Sequence, residues 1–373
     1  NGVPHIGFQT SYIETSLTCR SHNLFCRPFL LVVTVILAGF TMMAEFNTVT
    51  SSYLKYSTVV GYFLQADPDT DPHEFDFVST NFGLIDRIYD TDSPLDNGNK
   101  TQWERFERKV RSLDSEAGEH ATYKVLFLGR HGEGHHNVAE SFYGTELWDC
   151  HWSLLNGNGI VTWDDARLTE VGKAQARTIH NAWAKQIENK IPPPESYYVS
   201  PLNRCLSTAR ITFDGLGLPN TIPFQPIVKE LLRETLGIHT CDRRSPKSAI
   251  EREYPLYKIE DGFVETDLLW EPKLRESDSA RTARLRKFLD DVFTNDPATF
   301  ISFSTHSGAI TSILEAIEHR SFDLATGAMI PVLVKAERVL GPSPPTTIEP
   351  PSLAPECKSD PLAFSAEPFP MSA

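Results

Sequence analysis

Arg130-His131-Gly132-Glu133-Gly134-His135-His136 lies just behind the apolar run Val125-Leu126-Phe127-Leu128. A short apolar run that stops at a polar, glycine-bearing turn reads as a buried strand entering a loop. His131 then stands at a strand's carboxyl end, with a guanidinium before it and a glycine after it. The guanidinium is an anion-binding fork, and the glycine leaves one side of the imidazole uncovered. A second run, Phe300-Ile301-Ser302-Phe303-Ser304, ends the same way, in Thr305-His306-Ser307-Gly308. Open α/β sheets bind ligands outside the carboxyl ends of their strands. Two strands that each end in a histidine therefore point to one shared pocket, shaped for an anion such as phosphate.

Working outward, strand and helix patterns alternate. Residues 123–128 form the first core strand. Thr169 is an N-cap for a helix to residue 187, with Val171, Ile179, Trp183 and Ile187 as its buried stripe. Residues 197–199 form a short strand, after which Ser200 and Pro201 read as N-cap and first residue of the helix bearing Arg204. Such a start aims free N–H groups at the pocket. Residues 280–293 make a charged amphipathic helix, 300–304 a buried strand, 309–318 the helix after His306, and 329–334 a closing strand. This alternation implies an α/β fold, a three-layer α/β/α sandwich around a mainly parallel central sheet.

The motifs resemble those of the histidine phosphatase superfamily, which includes the cofactor-dependent phosphoglycerate mutases. Arg130-His131-Gly132 is similar to its RHG signature, with Asn137 at the matching offset. The stretch from Asp165 through Leu168-Thr169, Gly172 and Gln175-Ala176 resembles its D-x-x-L-T-x-x-G-x-x-Q-A element. Ser200, Leu202, Arg204 and Thr208-Ala209 match S-x-L-x-R-x-x-x-T-A. Leu232-Arg233-Glu234-Thr235-Leu236-Gly237 is similar to the segment carrying the family's acid, and Thr305-His306-Ser307-Gly308 to its second histidine. RHG alone is a weak match; five elements in family order over residues 123–339 are specific. The resemblance implies that His131 is a nucleophile passing through a phosphohistidine. It implies that Arg130, Arg204 and a protonated His306 clamp the phosphate, and that Glu234 is the general acid and then the base that activates water. Glu230, one turn away, is the rival acid. Asn137, Arg243 and Arg244 are candidate substrate contacts; the two arginines equally fit a solvated loop.

Composition bounds the rest. The chain has 373 residues, 40% hydrophobic and 23% charged, with a formal net charge of −14. That charge argues against nucleic acid as a partner and requires a locally basic pocket for an anionic substrate. Six cysteines without a C-x-x-C pair indicate neither a zinc ribbon nor a redox motif, and read as reduced thiols in a cytoplasmic protein. Residues 29–44 are mostly apolar behind Arg20 and Arg27. They resemble a signal core or a short anchor but fall short of the roughly 20 residues of a bilayer span. A membrane partner or secretion follows only if that segment is genuine; the preferred expectation is a start at Met42 or Met43. With a genuine signal, Asn99-Lys100-Thr101 becomes a glycosylation acceptor. Four segments are expected: an apolar leader (1–45), a loop-rich extension (46–120), the catalytic domain (121–340) and a disordered tail (341–373), with nine prolines in its 33 residues.

The expected activity is hydrolysis of the phosphate monoester of a small molecule, with no cofactor and no metal. A phosphoglycerate mutase is the runner-up. A zinc hydrolase using His131, Glu133, His135 and His136 fits poorly: H-E-x-x-H needs Glu next to the first histidine, and Gly132 and Gly134 weaken the helix it requires. A noncatalytic relative would not be expected to carry the full set Arg130, His131, Arg204, Glu234 and His306.

Overall fold

The computed structural model describes residues 51–94, 99–366 and 369. The apolar leader and the proposed starts at Met42 and Met43 lie outside the described residues. A seven-stranded sheet holds the domain together. Its strands are β1 (Ser52–Thr58), β2 (Ala121–Arg130), β3 (Ser196–Val199), β4 (Ile227–Val228), β5 (Lys258–Ile259), β6 (Phe300–Thr305) and β7 (Met329–Leu340), in spatial order β1-β7-β2-β6-β3-β4-β5. From β2 to β5 every pairing is parallel; β7 runs antiparallel to both β2 and β1.

Strand side chains alternate between faces, and the two faces carry separate cores. Leu126, Leu128, Ile301, Phe303, Ile330 and Val332 pack on one side with Leu285, Phe288, Ile310 and Ile313. The last four belong to α7 (Asp278–Asn295) and α8 (Ser307–Ala316). Val125, Phe127, Tyr197, Phe300 and Leu333 pack on the other side with Trp103, Phe106, Ile179 and Trp183. Those lie on α1 (Gln102–Ala117) and α4 (Glu170–Glu188). The result is the three-layer sandwich. Each fully buried aromatic or aliphatic side chain contributes roughly 1.5–3 kcal/mol relative to exposure.

Several boundaries differ from the sequence reading. Thr169 does cap α4, accepting from Gly172 N, but the buried stripe is Gly172, Ala176, Ile179, Ala182, Trp183 and Gln186. Val171 is 46% exposed. The Arg204 helix, α5 (Asn203–Phe213), begins behind Leu202, not at Ser200 and Pro201. The extension is less loop-rich than expected. It supplies edge strand β1 and the 16-residue α1, which opens on a reciprocal capping box between Thr101 and Glu104. That S/T-x-x-E signal was present in the sequence.

The tail is the largest correction. Gly341 N donates to Ser51 O at 2.7 Å, and Ser352 exchanges two backbone hydrogen bonds with Arg275 at 2.8 and 3.0 Å. Glu349 bonds Ser277 and Ser279 at 2.8 Å each. Cys357 forms a disulfide with Cys150, against the expectation of six reduced thiols. Phe369 is buried with Val138, Tyr143 and Trp148. Proline-rich composition hides this because the anchors are isolated points without periodicity.

Candidate active site

Three parallel strands end at one level and bring the two histidines together. Arg130 is in register with Thr305, and His131 N donates to Thr305 O at 3.0 Å. Ser200, directly after β3, donates its N–H to Ser304 O at 3.1 Å. The His131 and His306 rings lie 5.2 Å apart. The turn after His131 is pinned from behind by the Asp165–Gln175 stretch. A Cβ on Gly132 would collide with Gly172 O, and one on Gly172 with Glu133 O, so these two backbones meet only as glycines. Thr169 N donates to Glu133 O at 2.9 Å, Glu133 N to Gln175 Oε1 at 2.7 Å, and Gly132 N to Thr208 Oγ1 at 3.0 Å. The motif spacing from Asp165 to Gln175 is thus a backbone brace for one loop.

His131 is 3% exposed. Its Nδ1 lies 2.7 Å from Gly132 O, an acceptor only, so Nδ1 carries the proton and Nε2 keeps its lone pair. Burial, then the charges of Arg204 and Arg130, push its pKa well below the usual histidine value, so the ring is neutral.

Arg204 is fully buried, donating to Cys241 O at 2.6 Å and Asp242 Oδ1 at 2.8 Å. Arg130 donates to Leu324 O at 2.6 Å. The Nε atoms of both arginines are buried without a partner in the protein. His306, behind the start of α8, has Nε2 2.7 Å from Ser200 Oγ. Burial first, then Arg204, His131 and His136, hold its pKa well below the ordinary value. In the protein alone His306 is therefore neutral, and the expected proton belongs to the phosphate-bound state.

Glu234 faces this group. Its Oε1 accepts from Thr235 N at 2.9 Å and its Oε2 from Gly308 N at 3.0 Å, in the first turn of α8. The inner face of α7 supports the loop: Arg284 donates to the carbonyls of Leu231, Arg233 and Glu234, and Arg281 to Thr235 Oγ1. Glu230 is instead paired with Arg233 at 2.8 Å and Arg244 at 2.9 Å, away from the role of rival acid.

Three expected substrate contacts are placed differently. Asn137 Oδ1 accepts from Gly134 N at 2.9 Å and caps α2 (His135–Tyr143). Arg244 is buried, with Nε on Glu230 and both Nη atoms on the carbonyls of Val264, Ser245, Glu265 and Thr266. Arg243 holds Asp164 at 2.8 Å and lies over Trp270. Both guanidiniums are engaged by groups of the protein itself. The reading also missed Ser200, Thr208 and Asp242. The first two sit inside motifs quoted for other reasons, and Asp242 carries no local signal.

For metal ligation, His239, Cys241 and Asp242 are the one cluster of three found among the described residues. Asp242 is already held by Arg204, with Arg275 3.7 Å away, and burial raises the Cys241 thiol well above its usual pKa. Two guanidiniums and a protonated thiol disfavour a cation there.

The paired strand-end histidines, the flanking arginines and the brace behind them belong together as one family signature. Residues 126–331 match the histidine phosphatase superfamily (branch 1), and the chain belongs to that family. It is 55% identical to a probable phosphoglycerate mutase of Arthroderma benhamiae, over 83% of this chain and 92% of that one. It is 36% identical to phosphomutase-like protein 3 of Candida albicans, over 78% and 84%. Among solved structures, a mycobacterial glucosyl-3-phosphoglycerate phosphatase superimposes with a TM-score of 0.34 at 18% identity, covering 58% of this chain and 98% of that one. No helix among the described residues is long and apolar enough to cross a membrane.

Proposed function

We propose that the protein hydrolyses phosphate monoesters of a small molecule through a phosphohistidine on His131, without a metal. The observation that carries this reading is the state of His131: neutral, its Nδ1–H tied to Gly132 O so that Nε2 keeps its lone pair, with the charges of Arg204 and Arg130, whose Nε–H groups have no partner in the protein, acting on the ring. Phosphoryl transfer needs an aligned nucleophile and equatorial charge stabilisation, and these groups supply both. Arg130, Arg204 and His306 hold the dianion while His131 Nε2 attacks phosphorus. The ester P–O bond breaks and the departing oxygen takes a proton from Glu234. The Glu234 carboxylate then removes a proton from water as that water's oxygen attacks phosphorus. The N–P bond breaks, inorganic phosphate leaves, and His131 and Glu234 return to their starting states.

Relatives named as mutases make the mutase the alternative. A mutase must hold a second anionic group of its substrate. Arg243 and Arg244, the cations nominated for that task, are engaged by Asp164 and by Glu230 with four carbonyls. That favours the phosphatase. The compartment we infer is oxidising, because a disulfide persists outside the reducing cytoplasm; this supports the secreted alternative over the cytoplasmic one. The test is p-nitrophenyl phosphate hydrolysis in chelator by the native protein and His131→Ala, followed by 3-phosphoglycerate with its bisphosphate. Hydrolysis by the native protein alone is expected. Equal rates for both proteins would refute the nucleophile; formation of 2-phosphoglycerate would establish the mutase.

A further inference from the structure

Among the described residues, Arg130 Nε, Arg204 Nε and His136 Nδ1 are buried side-chain atoms without a protein partner, and both guanidiniums act electrostatically on the His136 ring. The two arginines are accounted for by a phosphate. His136 is not used by the mechanism above, and its position is unusual for a residue that only packs. It is 9% exposed, sits in the first turn of α2, and its ring lies 5.5 Å from that of His131, tilted by 50°. On its inner side Nδ1 rests against Gly134, where a Cβ would press on it. Leaving a buried imidazole nitrogen unbonded costs roughly 1–3 kcal/mol, so a ring kept for packing would be better replaced by an apolar one.

The charged and titratable groups around His136 come from four other elements: His131 and Arg130 at the end of β2, Arg204 on α5, His239 on the loop before Cys241, and His306 before α8. Burial and the two guanidiniums hold its pKa well below the ordinary value, so the ring is neutral and offers one N–H. Of these groups, all but His239 are assigned to the phosphate in the reading above.

We propose that His136 is a third imidazole of the phosphate pocket, donating a hydrogen bond to a non-bridging phosphoryl oxygen as the group passes to and from His131. The assignment rests on the phosphatase reading of the same site. It extends the neutral-donor part of the clamp from the strand ends to the first turn of α2. With Nδ1 against Gly134, the donor is the Nε2–H at the other side of the ring, and the cost of the unbonded Nδ1 is what marks the imidazole as kept for that bond.

The test compares His136→Phe, which fills the space without a donor, with His136→Gln, which restores an N–H. Steady-state hydrolysis of p-nitrophenyl phosphate and the melting shift produced by orthovanadate are measured for both, with His131→Ala as control. Expected are a loss of roughly 100-fold in kcat/KM for His136→Phe, recovery to within about tenfold in His136→Gln, a melting temperature for His136→Phe at or above the native value, and a reduced vanadate shift. A His136→Phe rate within threefold of native, or a His136→Gln rate as low as that of His136→Phe, overturns the proposal. An inactive His131→Ala beside a fully active His136→Phe would sink this inference alone; an active His131→Ala would sink the phosphatase reading itself.

Discussion

Arg204 and Arg244 are both buried, both pair with a carboxylate, and look interchangeable as letters in a sequence. Their surroundings separate them. Arg244 has a carboxylate on Nε and carbonyls on both Nη atoms, and its guanidinium lies 4.1 Å from the Phe263 ring centroid. Arg204 has one carbonyl, one carboxylate and an unpartnered Nε. A buried guanidinium engaged by its own fold is scaffold; one with an unpartnered Nε whose charge acts on the strand-end histidines is set up for a ligand.

The same substitution in both places should break them apart. Arg204→Lys keeps the charge beside Asp242 but loses the planar fork, and should lower kcat/KM for p-nitrophenyl phosphate by about 100- to 1000-fold with a small change in melting temperature. Arg244→Lys leaves several carbonyls and part of Glu230 unsatisfied, and should cost about 3 kcal/mol in urea unfolding while the folded fraction keeps its turnover. Equal losses of activity in the two variants would erase the distinction.

Next in size is the disulfide. Cys150 and Cys357 are separated by 207 residues, and replacing Cys357 with Ser should lower stability by about 2–4 kcal/mol. Because the tail also pairs with Arg275, which lies beside Asp242, vanadate should protect the variant less than the native protein. An unchanged melting curve would show that the tail contributes nothing to the scaffold.

A pH series probes the pocket side. His239 is pushed down to about 3 by burial, against an ordinary value of 6.5. Between those values the unfolded chain binds a proton that the native chain does not, so stability is complete above pH 6.5 and falls as acid is added. From pH 7 to 5 one such group costs about 2 kcal/mol, and His131, His136 and His306 act in the same direction. Chemical denaturation at the two pH values measures it; greater stability at pH 5 would contradict neutral buried imidazoles. The smallest effect lies far from both arginines. Thr101→Ala removes the α1 cap and should cost about 1 kcal/mol with no change in rate, read by thermal melting.

Residues whose roles depend on local chain geometry were open to reading beforehand. The Thr169 cap and the strand-end positions of His131 and His306 follow from period, turn chemistry and spacing, whereas Gly172 was read through the family resemblance and its close approach to the Gly132 loop is tertiary. The Thr101 cap was equally local and was read instead as part of a glycosylation site. Arg243, Arg244 and the tail were misjudged for a different reason. A guanidinium's availability is set by carboxylates and carbonyls brought from elsewhere in the chain, and a tail's order by single anchors such as Cys357 and Phe369.

By itself the sequence determined the alternation of strands and helices, the two histidines at strand ends and the glycine-bearing turn between arginine and helix, because these depend on neighbours within a few residues. Only the tertiary structure decided which side chains keep an unpartnered buried nitrogen, as Arg204 and His136 do, and which are engaged by the fold, as Arg244 and Glu230 are. The physical reason is that hydrogen-bond satisfaction is a property of three-dimensional surroundings. A side chain's freedom to meet a phosphate depends on partners that folding has or has not supplied.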